Sequence, residues 1–198
     1  MTTVRSYTDN ELLGKVEEIG GVIPNKGKNF LIIGVQSEED TFDRFDDKFY
    51  VYDGRDNVLN GTGTTNPGRR NLQEFNDEKI IGAPIWKTDV WYQDLFKRGF
   101  HVGGSGNKMR ALRQVKEIYF YRDSNRNKES EELGKKFHDI INVNMHGVSY
   151  SSKSIIRNKI GYWSAGCQVW NNMDQYRKMI KMTWERDRFV DYALLKEF

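Results

Sequence analysis

The chain contains one cysteine, Cys167, and three histidines, at positions 101, 138 and 146. A free thiol with a pKa of about 8.5 is mostly protonated at neutral pH, whereas the thiolate is the attacking species. An imidazole within hydrogen-bond reach can take that proton, and the resulting thiolate–imidazolium pair can attack a carbonyl. His146 is the candidate base: it ends the apolar run 140–145 and is followed by Gly147. Cys167 follows Ser164, Ala165 and Gly166. Gly166 permits a sharp bend, which would expose the sulfur and aim the amides of Gly166 and Cys167 at a developing oxyanion. Ser164 is expected to shape that turn or to orient His146. Gly147 is assigned to backbone geometry, its carbonyl being able to orient the imidazole in place of the third side chain of other triads.

Plainer roles exist for each residue. A lone cysteine is usually a small buried hydrophobe, but the glycine turn and the polar neighbours Ser164 and Gln168 favour a nucleophile here. No His-x-x-x-His or Cys-x-x-Cys pair occurs, so neither a zinc site nor any other metal or cofactor is expected. Residues 53–56 lack the alternating oxygen ligands of a calcium loop, and residues 103–106 are too short for a phosphate loop. Trp163, Gln168, His101 and Tyr150 are the candidate substrate contacts. His101 either lines the cleft opposite Cys167 or caps a loop, the loop being the simpler choice. Of Trp163 and Trp170, one can face substrate while the other packs, core packing being the default for both. Residues 150–154 lie between base and nucleophile, where a mobile flap could form.

The order His146-Gly147, then Ser164-x-Gly166-Cys167 with seventeen residues between His146 and Ser164, resembles the catalytic signature of the L,D-transpeptidase domain. The likeness covers residues 140–170. Residues 97–101, 111–114 and 121–123 are similar to a variant of that domain associated with bacteriophage genomes. The resemblance implies an L,D-transpeptidase-like β-sandwich with a few peripheral helices. It also implies a cysteine acyl-enzyme on peptidoglycan stem peptides, resolved by water or by an acceptor amine. Phage virion proteins then become candidate partners. The chain departs from the family at Ala165, where the motif has His, and at Gln168-Val169, where Arg or Asn is common. Those departures leave a second implication open: a virion or cell-wall-binding protein that keeps the fold with little catalysis.

The bulk properties suit this picture. With 198 residues, one domain is expected, its catalytic segment at 100–185 and the elements of residues 8–52 part of it or appended to it. The net charge of +3 gives no argument for nucleic acid, and no apolar run approaches membrane-spanning length. No secretory signal is legible at the start. The expectation is synthesis in the cytoplasm, with carriage in a virion or delivery to a host periplasm. Residues 41–47 are acidic and the last quarter is basic; both are expected to be solvated faces.

The elements that must position the site are short. Thr8 with Glu11 forms a capping box for a helix closed by Gly20-Gly21. Residues 30–35 predict a buried strand and residues 48–52 a second one. Residues 53–79, rich in Gly, Asn, Asp and Thr, read as loop, residues 111–121 as one strand, and residues 140–145 as the strand that carries His146. Asn172 caps a helix whose buried stripe is Met173, Tyr176, Ile180 and Trp184, and residues 189–195 make a last strand. The fold class is α+β or mainly β.

Overall fold

The computed structural model describes residues 4–73 and 82–198. In chain order the elements are α1 (Asp9–Glu18), β1 (Phe30–Gln36), β2 (Asp47–Asp53), β3 (Asp56–Thr64), α2 (Arg69–Gln73), β4 (Ala83–Trp86), β5 (Val90–Val102), β6 (Lys108–Gln114), β7 (Ile118–Asp123), β8 (Phe137–Asp139), β9 (Asn144–Gly147), β10 (Gln168–Trp170), α3 (Met173–Arg186) and β11 (Val190–Lys196). The fold is mainly β. Eight strands close into a barrel in the order β1-β11-β5-β6-β9-β10-β3-β2, and β4, β7 and β8 form a separate three-stranded sheet. No described helix is long and apolar enough to cross a membrane.

Two apolar layers explain the sequence pattern of β1. All seven of its residues are buried, because both faces of the strand are covered. Phe30 and Ile32 point into the barrel core, while Leu31, Ile33 and Val35 meet Leu12, Leu13 and Val16 of α1. A strand covered on both sides reads as a continuous apolar run and not as an alternation. The helix starts where the capping box requires: Thr8 Oγ1 accepts from the Glu11 amide, and Glu11 Oε2 accepts from the Thr8 amide at 2.7 Å. At the other end of the chain, Asn172 Oδ1 accepts from the amides of Asp174 and Gln175. Met173, Tyr176, Met179 and Ile180 of α3 are buried over β3, β6, β9 and β10.

Several expectations are corrected. The segment 53–79 is not simply loop: β3 pairs along β2 from Asp53↔Asp56 to Asp47↔Gly63. Its alternating exposed and half-buried first half is polar because one face meets water. Residues 74–79 lie outside the described part. The stretch 111–121 is two strands from two sheets, β6 ending at Gln114 and β7 beginning at Ile118. The run 140–145 is not a strand throughout: Asn142 has φ +60°, and pairing starts only at Asn144.

The acidic segment is not a solvated face either. Asp47 is fully buried and accepts from the amides of Ser37 and Thr65 and from the Thr65 hydroxyl. Asp43 accepts from the amides of Arg69 and Gly161, and Asp46 from that of Thr41. These carboxylates tie loops together, which is why burial is tolerated.

Candidate active site

Three barrel strands deliver the chemistry. His101 comes from β5, His146 from β9, and Cys167 stands one residue ahead of β10. β9 and β10 run parallel with Gln168 opposite Met145 and Val169 opposite His146, so the turn before β10 lies beside the side chains of β9. One ring nitrogen of each histidine and the Cys167 sulfur all lie within 4.8 Å of one another. The two imidazoles stack with centroids 3.9 Å apart.

His146 is fully buried, and its Nδ1 lies 2.9 Å from the Gly147 carbonyl oxygen. A carbonyl only accepts, so Nδ1 carries the proton and Nε2 is the basic nitrogen. Nε2 is buried and has no hydrogen-bond partner. Gly147 is required by the helix behind it. A Cβ there would lie 2.6 Å from Met173 Sδ and 2.7 Å from Tyr176 Cδ1, so any side chain would push α3 off the strand whose carbonyl orients the base.

The turn holding the nucleophile is braced from both sides. Gly166 has φ +106°, and a Cβ on it would meet Pro84 Cγ at 2.5 Å, so only glycine fits. Its carbonyl accepts from the Trp86 indole at 2.7 Å. The buried Ser164 hydroxyl donates to the Cys167 carbonyl at 2.8 Å and accepts from the Gly166 amide at 3.1 Å. Ser164 therefore shapes the turn. The Gly166 amide is engaged by that hydroxyl, which argues against the oxyanion-hole role expected of it. The Asn144 amide donates to the Cys167 sulfur at 3.4 Å.

A cleft of about 340 Å³ opens over the sulfur, walled by His101, Tyr150, Tyr162, Trp163, Ala165 and the 102–105 hairpin. Among the described residues, no Asp, Glu, Lys or Arg lines it. Tyr150 lies between His101 and Trp163, with ring centroids 6.3 and 5.6 Å away, so flat rings run outward from the nucleophile. Trp170 packs on Phe49 instead, with centroids 5.1 Å apart. His138 pairs with Glu117 and stacks on Tyr119, apart from the cleft residues.

Of the two places expected for His101, the structure gives the cleft wall, as a strand residue and not as a loop cap. Two other expectations change. Gln168 is not a substrate contact, since it is fully buried, accepting from the Tyr192 hydroxyl at 2.5 Å and donating to the Thr65 carbonyl at 3.3 Å. The 150–154 segment is fastened rather than loose, because Arg177 donates to the carbonyls of Ser151 and Lys153 and Ser154 donates to Asp174. Asn144 is the residue that sequence reasoning missed. Its position two residues before His146 puts both on one face of β9, but nothing in an asparagine between apolar residues signals that its amide would reach a sulfur.

Burial sets the resting protonation. Desolvation pushes the Cys167 thiol up to about 11, against the smaller opposing effect of the Asn144 amide. Desolvation and then the neighbouring His101 bring His146 down to about 3. At neutral pH the pair rests as uncharged thiol and imidazole, not as the ion pair expected from residue types alone. Attack from this state requires the proton to leave sulfur as the new bond forms. No known protein family, curated protein or solved structure matches the chain.

Proposed function

We propose that the chain is an L,D-transpeptidase-like cysteine enzyme, phage-encoded, acting on peptidoglycan stem peptides. One observation carries this reading: a single thiol within 4.8 Å of an imidazole nitrogen, at the floor of an open aromatic cleft, with the imidazole oriented by a backbone carbonyl. In the proposed cycle Cys167 attacks the peptide carbonyl while His146 Nε2 takes the thiol proton. His146 then returns that proton to the departing amine, leaving an acyl group on sulfur. Water releases it as a free acid, or an acceptor amine takes it into a new amide. His146 Nε2 makes no hydrogen bond, and catalytic contacts of this kind tighten on substrate binding. The described lining of the cleft, aromatic and free of Asp, Glu, Lys and Arg, fits the neutral part of a muropeptide, its rings stacking on flat ligand faces.

The test is mass spectrometry of defined muropeptides after incubation with the protein. Hydrolysed or exchanged peptides are expected from the wild type and none from Cys167→Ala. Equal turnover by the variant overturns the reading. The neutral, raised thiol favours one rival, a cell-wall-binding or virion protein with this fold. That rival gives binding to sedimented cell wall and intact muropeptides in both proteins.

A further inference from the structure

The triangle of Cys167, His146 and His101 has a second chemical capacity. With Nδ1–H of His146 held by the Gly147 carbonyl, the ring is in the orientation in which protein imidazoles present Nε2 to a metal. That Nε2 is buried without a partner, and so is Oδ1 of Asn144, the residue whose backbone amide already donates to the sulfur. An amide N–H bonded to sulfur favours a metal-bound thiolate. Cys167 and His101 both line the open cleft, which leaves a fourth position for water.

We propose that these three side chains capture one Zn²⁺ ion from solution and that the bound ion silences the nucleophile. One thiolate and two imidazoles with an open position make a borderline-soft donor set that suits Zn²⁺, whereas calcium and magnesium call for oxygen ligands. On capture a sulfur–zinc bond forms, the thiol proton leaves for bulk water, and no electron moves. The stacked rings show which ligand must move. His146 is fixed by Gly147, so His101, half-buried on the cleft wall, turns its edge toward the sulfur. The separation of the three residues along the chain explains why short metal-binding spacings are absent. The capture step is independent of peptide cleavage, while the silencing step rests on the proposed reaction.

The test titrates metal-free protein with Zn²⁺ in competition with a chromophoric chelator, and with Co²⁺ read by its thiolate charge-transfer absorption. One ion per chain is expected, with one proton released. His101→Ala should weaken binding at least about tenfold, and Cys167→Ala should lose the cobalt–thiolate band while keeping the wild-type circular dichroism. No binding, or binding unchanged in both variants, overturns the capture. One equivalent of Zn²⁺ should abolish muropeptide turnover, with recovery on adding a chelator; undiminished turnover by the loaded protein overturns the silencing. Stoichiometric zinc binding by a protein that leaves muropeptides intact supports the metal site and overturns the proposed enzyme.

Discussion

His101 lies face to face on His146, with ring centroids 3.9 Å apart and planes 21° from parallel. Two imidazoles this close cannot both hold an extra proton, since like charges at short range disfavour one another. The outer ring is half-buried and shares the cleft with the sulfur; the inner ring is sealed and anchored. On the proposed reaction the rings take different tasks, the inner one receiving a proton and the outer one meeting what enters the cleft.

The protonation state can be read from thiol chemistry. Burial raises the Cys167 thiol to about 11 and lowers His146 to about 3, so the metal-free protein holds almost no thiolate at neutral pH. Alkylation by iodoacetamide should climb steadily from about pH 6 to about pH 10, without the neutral plateau that marks a thiolate–imidazolium pair. A plateau across that range would show that the ion pair is preformed.

The turn before Cys167 should be intolerant of any side chain at its glycine. Gly166→Ala combines the φ of +106° with a contact of 2.5 Å to Pro84 Cγ and 3.0 Å to the Pro84 carbonyl oxygen. Strain and crowding together cost about 2–4 kcal/mol. Chemical denaturation should show that loss, and muropeptide turnover should fall at least tenfold as the sulfur shifts. A variant with wild-type stability would mean that the turn is not held as described.

The parts legible in the sequence are those whose cause is local. The capping box at Thr8 and Glu11, the apolar run of β1 and the Asn172 cap each depend on residues a few positions apart. The polar strand β3 was hidden because half of its side chains face water, and its Gly and Asn content imitates a loop. The buried Asp47 was hidden because a carboxylate among acidic neighbours looks solvated until Ser37 and Thr65 arrive from other segments to donate to it. At the site, the order of His146, Ser164, Gly166 and Cys167 was legible. His101 was legible only as one of two alternatives, cleft wall or loop cap, and its stacking on His146 was not, because β6, β7 and β8 separate β5 from β9 along the chain.

Acid should weaken the fold through His146. Its folded pKa, brought to about 3 by burial, lies below the value near 6.5 of an unfolded chain. The unfolded state therefore binds the extra proton between these limits. The contribution of the neutral ring is complete above about pH 6.5 and is lost as pH falls toward 3, by at most roughly 1.4 kcal/mol per pH unit. Asp46 and Asp47 work in the opposite direction, since burial raises both, but they are present in wild type and variant alike. The stability of His146→Gln, measured by denaturant titration with chelator present, should therefore fall less steeply with acid than that of the wild type. Parallel curves would refute the assignment of a buried neutral imidazole.

Gln168 offers a test of what the barrel interior does for the neighbouring cysteine. Its amide ties β10 to β11 across the barrel and to the residue that follows β3, receiving the Tyr192 hydroxyl and donating to the Thr65 carbonyl. Gln168→Leu keeps the bulk of the side chain but leaves the hydroxyl and the carbonyl without partners in a sealed space. Each stranded group costs about 1–3 kcal/mol, so the denaturation midpoint should drop clearly. Because the side chain never reaches the cleft, the KM for a muropeptide should stay within about twofold of wild type, with any loss confined to kcat through the displaced turn. A large rise in KM at unchanged stability would return Gln168 to the substrate-contacting wall and require the register of β10 to be reassigned.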